Sequence, residues 1–412
     1  MVPVLRTAFN ETFTRQRYES FLADLNSRYP GAIEFRLAET PVFVPKDFTA
    51  KLTDVCEHIV DLILDPQFKE LTERAIPETD RVARENGHPH FLVFDFGVCE
   101  DGKGGFEPQL IEMQGFASLY GFQVYYPETL RRFFPVPDNY SQFLSGYNHD
   151  SYLALLKEVI LGGLPAENVI LLELKPHEQK TRIDFYCTQD YLGIVPVCLT
   201  DLIQEGRQLY YIHPATGKKN QIKRIYNRLI FDELHAAEAA TASGPAANSP
   251  ASSPPGPHVD IRQDLDVEWV AHPNWFYRVS KFTLPFIRHP YVPQAFFLNE
   301  LKQLPADLEN YVLKPLFSFS GKGVVIDVQP ADLEVKDPEN WILQRKVNYA
   351  SFIPTPDIPA KAEIRMMYLW PDGTERPTLA INLARLSKGK MIGVSYNKDK
   401  EWVGGSVGFF ER

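Results

Sequence analysis

No apolar run in the chain approaches the roughly 18 to 20 residues needed to cross a bilayer. The longest runs are short and interrupted, as in NVILLEL at 168–174, so no transmembrane helix is expected. The start, MVPVLRTAFNETFTRQRY, lacks a cationic head followed by an apolar stretch, so no secretory signal is expected and the protein reads as cytoplasmic. Cysteine is scarce: Cys56, Cys99, Cys187 and Cys198 are scattered with no CxxC pair. That spacing argues against a zinc ribbon or a redox couple and leaves buried, reduced thiols. Basic excess is missing too, with 43 Lys+Arg against 53 Asp+Glu and a formal net charge of −10. Phosphate neutralisation along a nucleic acid needs a basic face, so neither nucleic acid nor membrane is expected as a partner, while a small anionic ligand remains open. There is no repeat at a fixed period, no GxxxxGK[ST] and no GxGxxG.

What is present is an ordinary globular composition, long enough at 412 residues for two or three packed units. Residues 13–75 read as helical, with Leu52, Val55, Ile59, Val60, Ile63 and Leu64 on one face at spacings of three and four, and residues 1–90 as a helical cap. β-type residues take over in FLVFDFGV (91–98), CEDGKGG supplies turn chemistry, and PQLIEMQG (108–115) returns, which predicts an antiparallel hairpin opening a unit over 91–150. Across 151–235 a helix, the strand NVILLEL, a helix in KTRIDFYCTQDYLG and the strand IVPVCL predict a small βαβ unit with a parallel sheet, closed by a hairpin around ATGKK. Residues 236–258, rich in Ala, Ser, Pro and Gly, bury too little surface to offset their ordering entropy and read as a flexible insertion. From 259 to 412 come a helix in HPNWFYRVSKFTLPFI, a strand YVLKPLF, a tight loop SFSGKG, a strand VVIDV, and three more strand-like runs, WILQRKV, EIRMMYLW and TLAINLARL. The class is α/β with α+β elements.

Two constellations carry chemistry. In the first, Lys314 ends a strand just before a loop of small residues, Ser318 to Gly323. A strand-end lysine can bridge phosphate oxygens, and small residues let backbone N–H groups approach them. Taken alone, a lone lysine and two glycines fit an ordinary hairpin turn better. In the second, Glu112 and Gln114 are two apart on a strand and point the same way, with Asp95 placed to lie beside them on the partner strand. Two carboxylates and an amide oxygen make a hard-oxygen Mg²⁺ site that would keep waters and borrow phosphate oxygens. The alternative, two acids on a solvated hairpin face, is weakened by the apolar neighbours Phe94, Phe96, Leu110, Ile111 and Met113. His88 and His90 could form an HxH metal pair but read better as a turn-exposed pair.

Downstream, WILQRKV is followed by Glu363, Arg365, Asn382, Arg385 and Asn397 in sheet-like sequence. This order of lysine strand, small-residue loop, Gln-containing strand, E-x-R strand and L-A-R strand resembles the nucleotide-binding half of the ATP-grasp fold. The metal-binding carboxylates stand near the N-terminus here and no E-x-N triplet occurs at GGSVGFFER, an order similar to the circularly permuted ATP-grasp class, including the glutathionylspermidine synthase-like proteins. The resemblance runs from about residue 91 to 407. It implies ATP and Mg²⁺ as cofactors, with Lys281 and Lys314 on phosphates, Ser320, Gly321, Lys322 and Gly323 covering them, and Gln344, Arg345 and Val347 against adenine. It implies Asp95, Glu112 and Gln114 on the metal, and Arg365, Arg385 and Arg228 facing the transferred phosphate. Two positions depart from the family pattern: Gln114 where the triplet has Asn, and Val93 where an arginine precedes the aspartate. The implied activity is an ATP-dependent carboxylate–amine ligase working through an acyl-phosphate on small-molecule or peptide substrates. The alternatives are a nucleotide-binding protein without ligase chemistry and an ATP-dependent phosphotransferase.

Overall fold

The structure, a computed structural model, describes residues 2–243, 259–318, 321–390, 392 and 397–412. Among the described residues the strands form five sheets. The central one is antiparallel, in the order β18 (Gly404–Ser406), β17 (Thr378–Ser387), β16 (Lys361–Leu369), β2 (Phe91–Glu100), β3 (Phe106–Gln114). Its inner strands β17, β16 and β2 are long and mostly apolar because both faces are covered. Leu92, Phe94 and Phe96, with Ile364, Met366 and Tyr368, belong to the core that includes Leu52, Val55, Ile59 and Ile63 of the helix Lys46–Leu64. Side chains alternate along a strand, so Phe91, Val93, Met367 and Leu369 enter a second core with Tyr120, Tyr152 and Leu156. Continue that second face by two residues on each strand and Asp95 and Arg365 stand side by side. The face carrying Asp95 and Arg365 is therefore the polar extension of an apolar one.

A second antiparallel sheet, in the order β12 (Ala295–Phe297), β15 (Trp341–Arg345), β13 (Tyr311–Pro315), β14 (Val325–Ile326), lies against the β2–β3 hairpin. Tyr311, Leu313 and Leu343 point into its own small core, so Lys314 and Gln344 emerge on the side of β3. A parallel sheet follows the order β11 (Glu268–Val270), β10 (Arg224–Asn227), β5 (Val169–Glu173), β6 (Val195–Cys198), with the helix Arg182–Leu192 as the crossover between β5 and β6. The expected closing hairpin is only partly that. Gln208–Ile212 (β8) and Lys219–Ile222 (β9) do pair, joined by β7 (Ile203–Glu205), but the run continues past Lys223 into β10, which enters the parallel sheet.

The N-terminal stretch departs from the helical expectation. Helices Pro3–Thr12, Arg15–Arg28 and Lys46–Leu64 are interrupted by β1 (Val42–Val44), which pairs in parallel with β19 (Gly408–Glu411), itself antiparallel to β4 (Tyr140–Ser141). Three β-type residues in a row need no periodicity of their own when a partner strand satisfies their backbone. The Ala-rich start of the expected insertion is also ordered: helix Phe231–Ser243 runs through it, as alanine's helix preference allows, while 244–258 lie outside the described residues. In place of one helix over HPNWFYRVSKFTLPFI there are a short α-helix, Pro273–Arg278, and a 3-10 turn, Lys281–Phe286. His88 and His90 are not a turn-exposed pair. His88 stacks on Trp370 at 4.2 Å, and the buried His90 reaches Asp372 at 3.0 Å. Three of the four cysteines are buried and all are unpaired. No helix among the described residues is long and apolar enough to cross a membrane.

Candidate functional site

Cross-strand pairing builds the floor of the site. Asp95 lies opposite Glu112 on β3 and opposite Arg365 on β16, and Glu363 lies opposite Arg385 on β17. The register of β2 and β3 shifts after Asp95, so Ile111 is an extra residue in β3. Such a bulge frees backbone groups from the ladder. The carbonyl of Ile111 accepts from Lys314 Nζ at 3.0 Å, and that of Leu110 from Gln344 Nε2 at 3.3 Å.

Asp95 is completely buried and fully engaged. Arg365 grips it with Nε on Oδ1 and Nη2 on Oδ2, both at 2.6 Å, and Arg385 Nη2 adds a contact to Oδ2 at 2.7 Å. Burial alone would raise its carboxyl, but Arg365 and Arg385 hold it below the usual carboxylate range. Arg365 is also tied through Nη1 to Ser118 Oγ at 3.0 Å, so it is held from both sides. Arg385 reaches both Asp95 and Glu363, and with its side chain 33% exposed it is the arginine that opens to the cleft. Burial pushes the Glu363 carboxyl up to about 7, against the pull of the Arg385 charge. Tyr349 OH donates to Glu363 Oε2 at 3.2 Å, and this ring, with Val347, lies on Gly97, where a Cβ would come within 2.8 Å of both side chains.

The roof carries two lysines. Lys281 opens the 3-10 turn and donates to the Ser318 carbonyl at 2.6 Å; burial lowers its pKa, with Glu112 and Asp232 opposing. Lys314 donates to Gln344 Oε1 at 2.6 Å, and burial lowers its pKa to about 8, again with Glu112 opposing. Glu112, Gln114, Lys281 and Ser318 line one small cavity of about 40 Å³, walled by Phe276 and Phe317. Gly321, Lys322 and Gly323 form a turn beyond it with both glycines at positive φ, while Ser320 lies outside the described residues.

The remaining expected residues fall elsewhere. Gln344 is buried between β12 and β13 with its side chain on Lys314, and the adjacent Arg345 points to the other face, toward Asp307 and the Tyr311 ring. Val347 packs on Gly97 of the central sheet. Arg228 lies between the Phe116 and Phe185 rings, 5.4 Å from each centroid, and donates to the Ala117 carbonyl. Asn382 bonds to the Gln142 and Gly408 backbones and is structural. Sequence reasoning misses Glu173, which ends β5 opposite Cys198 and whose carboxyl burial pushes up to about 8. Its place at the carboxyl end of a parallel strand is the signal that could have marked it.

Among the described residues no three of His, Cys, Asp and Glu stand close enough to hold a metal ion. Glu112 fits a cation, since among the described residues its hydrogen bond is to Gln114 Nε2, at 3.3 Å, and Gln114 can turn its oxygen the same way. Asp95 does not fit in this arrangement, because both its oxygens are taken by guanidinium groups.

The buried lysine gives a pH signature. A phosphate in this cleft would need Lys314 in its charged form, so any nucleotide affinity is expected to fall as the pH climbs through about 8. Fold stability should move the other way. The folded chain releases this proton at lower pH than the unfolded chain does, so the cost of burying the charge fades between about 8 and the ordinary lysine value. Calorimetric titrations with MgATP at pH 7 and 9, paired with thermal melts of the free protein, check both signs.

Two antiparallel sheets facing each other across paired lysines and carboxylates, with a parallel sheet beside them, make a mixed α/β fold. No protein-family model and no curated protein matches the chain. Among solved structures it is similar to a glutathione synthetase like-effector from Globodera pallida in its apo form, with a TM-score of 0.55 and 11% identity, covering 97% of this chain and 98% of that one.

Proposed function

We propose that the chain is an ATP- and Mg²⁺-dependent carboxylate–amine ligase of circularly permuted ATP-grasp order. The observation that carries the reading is the meeting of Lys281 and Lys314 with Glu112 on one side of a cleft, with Arg385 and Glu363 on its floor. Four cations around three carboxylates leave the site poised for an added anion. The chain order supports the permutation: the carboxylate hairpin of residues 91–114 precedes the lysine strand β13. Magnesium would be held by Glu112, with Gln114 and phosphate oxygens, and would supply charge neutralisation at the phosphates.

In this scheme Lys281 and Lys314 hold the phosphates. A substrate carboxylate oxygen attacks the γ-phosphorus as its bond to the ADP oxygen breaks. An amine then attacks the acyl carbon, phosphate departs with the bonding pair, and the amine gives up a proton. Arg385 faces the transferred group, and Arg365 acts behind it by holding Asp95. Glu173, Arg228 and the carboxyl ends of the parallel strands offer the second substrate a place to dock. The direct test is ADP release in the presence of carboxylate and amine candidates, with the product mass distinguishing an amide from a phosphorylated compound. ADP release dependent on a single substrate, with a stable phosphorylated product, would establish phosphotransfer instead.

Replacing Glu112 should uncouple nucleotide from metal. Glu112→Gln is expected to bind ATP with an affinity that no longer rises on adding Mg²⁺, whereas wild type should gain about tenfold or more. Calorimetry with and without EDTA checks this. A retained Mg²⁺ effect assigns the metal to other groups.

A further inference from the structure

The segment from Gly115 to Gly121 links β3 to the helix Phe122–Phe133 and belongs to neither, yet both inward-facing arginines rest on it. Arg365 Nη1 donates to Ser118 Oγ at 3.0 Å, and Arg228 Nη1 donates to the Ala117 carbonyl. The loop is pinned at three points. Gly115 N–H donates to the Val279 carbonyl at 2.9 Å, and a Cβ on Gly115 would meet the Trp275 carbonyl oxygen at 2.4 Å. Tyr120 OH donates toward the Leu92 and Tyr368 carbonyls, while its own carbonyl accepts from Tyr152 OH at 2.9 Å. The last pin is a side chain from another element. Asp184, on the helix Arg182–Leu192, accepts from Gly121 N–H at 2.8 Å and Phe122 N–H at 2.9 Å through Oδ1.

Asp184 is wholly buried, a costly place for a carboxylate, and among the described residues its Oδ2 has no hydrogen-bond partner. Among the described residues Arg228 Nε is likewise buried without a hydrogen-bond partner. Burial raises the Asp184 carboxyl and the Arg228 charge opposes that rise. As an acceptor for the Gly121 and Phe122 N–H groups it anchors the start of the helix Phe122–Phe133. Here it also supplies the negative charge that faces a buried arginine.

We infer that Asp184 is a positioning residue for anion recognition: by fixing the Gly115–Gly121 loop from outside the cleft, it holds Arg365 in place and, through the Asp95 that Arg365 and Arg385 share, aims Arg385 at the terminal phosphate of the nucleotide. This rests on the cleft binding MgATP.

The test uses the full chain and compares ATP with ADP, since the ratio of their affinities isolates the terminal phosphate. Wild type is expected to prefer MgATP. Asp184→Ala is expected to lose about tenfold of that preference while its affinity for ADP, set by Lys281 and Lys314, stays within about twofold. Asp184→Asn keeps an acceptor for the two N–H groups and should restore most of the preference, a rescue that general loosening would not give. Ser118→Ala removes only the hydroxyl under Arg365 and should shift the ratio in the same direction, so the inference stays open to refutation if Asp184→Ala fails to fold. Unchanged ATP preference in Ser118→Ala, or in a folded Asp184→Ala, overturns the positioning role. A folded Asp184→Asn that falls as far as Ala overturns the anchoring account. Absence of any nucleotide binding by wild type refutes the MgATP reading itself, and this inference falls with it.

Discussion

Lys314→Met is expected to fold as wild type does and to lose MgATP affinity by about 10- to 100-fold, the value of a charge-assisted bond to phosphate in a largely desolvated setting. Methionine keeps the length and apolar stem of lysine, so the packing of β13 against β15 is preserved. What disappears is one charge, held in place by Gln344 Oε1 at 2.6 Å and the Ile111 carbonyl at 3.0 Å. Its effect should exceed that of Lys322→Met, because Lys322 lies exposed in the loop beyond the cavity and is not pre-positioned. Calorimetry on the two variants, with melting temperatures alongside, decides the matter. Equal losses would mean the loop, rather than the strand, supplies the phosphate contact.

Asp95→Ala should have the largest effect on stability. It leaves Arg365, only 6% exposed, without its bidentate partner, and it strips Arg385 of one of its two carboxylates. Removing one member of a buried charge cluster costs about 3–5 kcal/mol, because the surviving charge stays desolvated. Urea denaturation should show a large drop in midpoint, or a chain that fails to accumulate in folded form. Had Asp95 served chiefly as a metal ligand, the variant would unfold near the wild-type midpoint and show altered Mg²⁺ dependence instead. Replacing Asp95 and Arg365 together with apolar residues should recover part of the loss.

The difference between those two outcomes traces to what a strand pattern can and cannot convey. Alternation along β2 and β3 is local, so the common face of Asp95, Glu112 and Gln114 is legible in the residue order alone. The partner of Asp95 is not, because Arg365 lies 270 residues away and only the pairing of β16 with β2 brings it in. The bulge at Ile111 is equally invisible: an extra residue leaves no mark in FEPQLIEMQ, yet it supplies the carbonyl that holds Lys314. Gln344 is found by its place in the order of motifs, which names a strand without naming a face, and its side chain turns out to serve the lysine. β10 merges with the preceding hairpin in the sequence pattern because a single residue, Lys223, separates the two strands. Short strands such as β1 carry too few residues for any period to register.

That same β1 sets the moment at which this part of the chain can finish folding. Val42, Phe43 and Val44 find their backbone partners in Gly408, Phe409 and Phe410, so a segment made early waits for one made much later. During synthesis the parallel sheet of β5 and β6 and the β2–β3 hairpin can assemble from near neighbours. The three-residue edge of β1 stays open until β19 arrives, and a nascent chain halted before residue 408 would carry it unpaired, as a ready template for association with another copy. Pairing of β1 with β19 therefore waits for a chain that has been made through both strands.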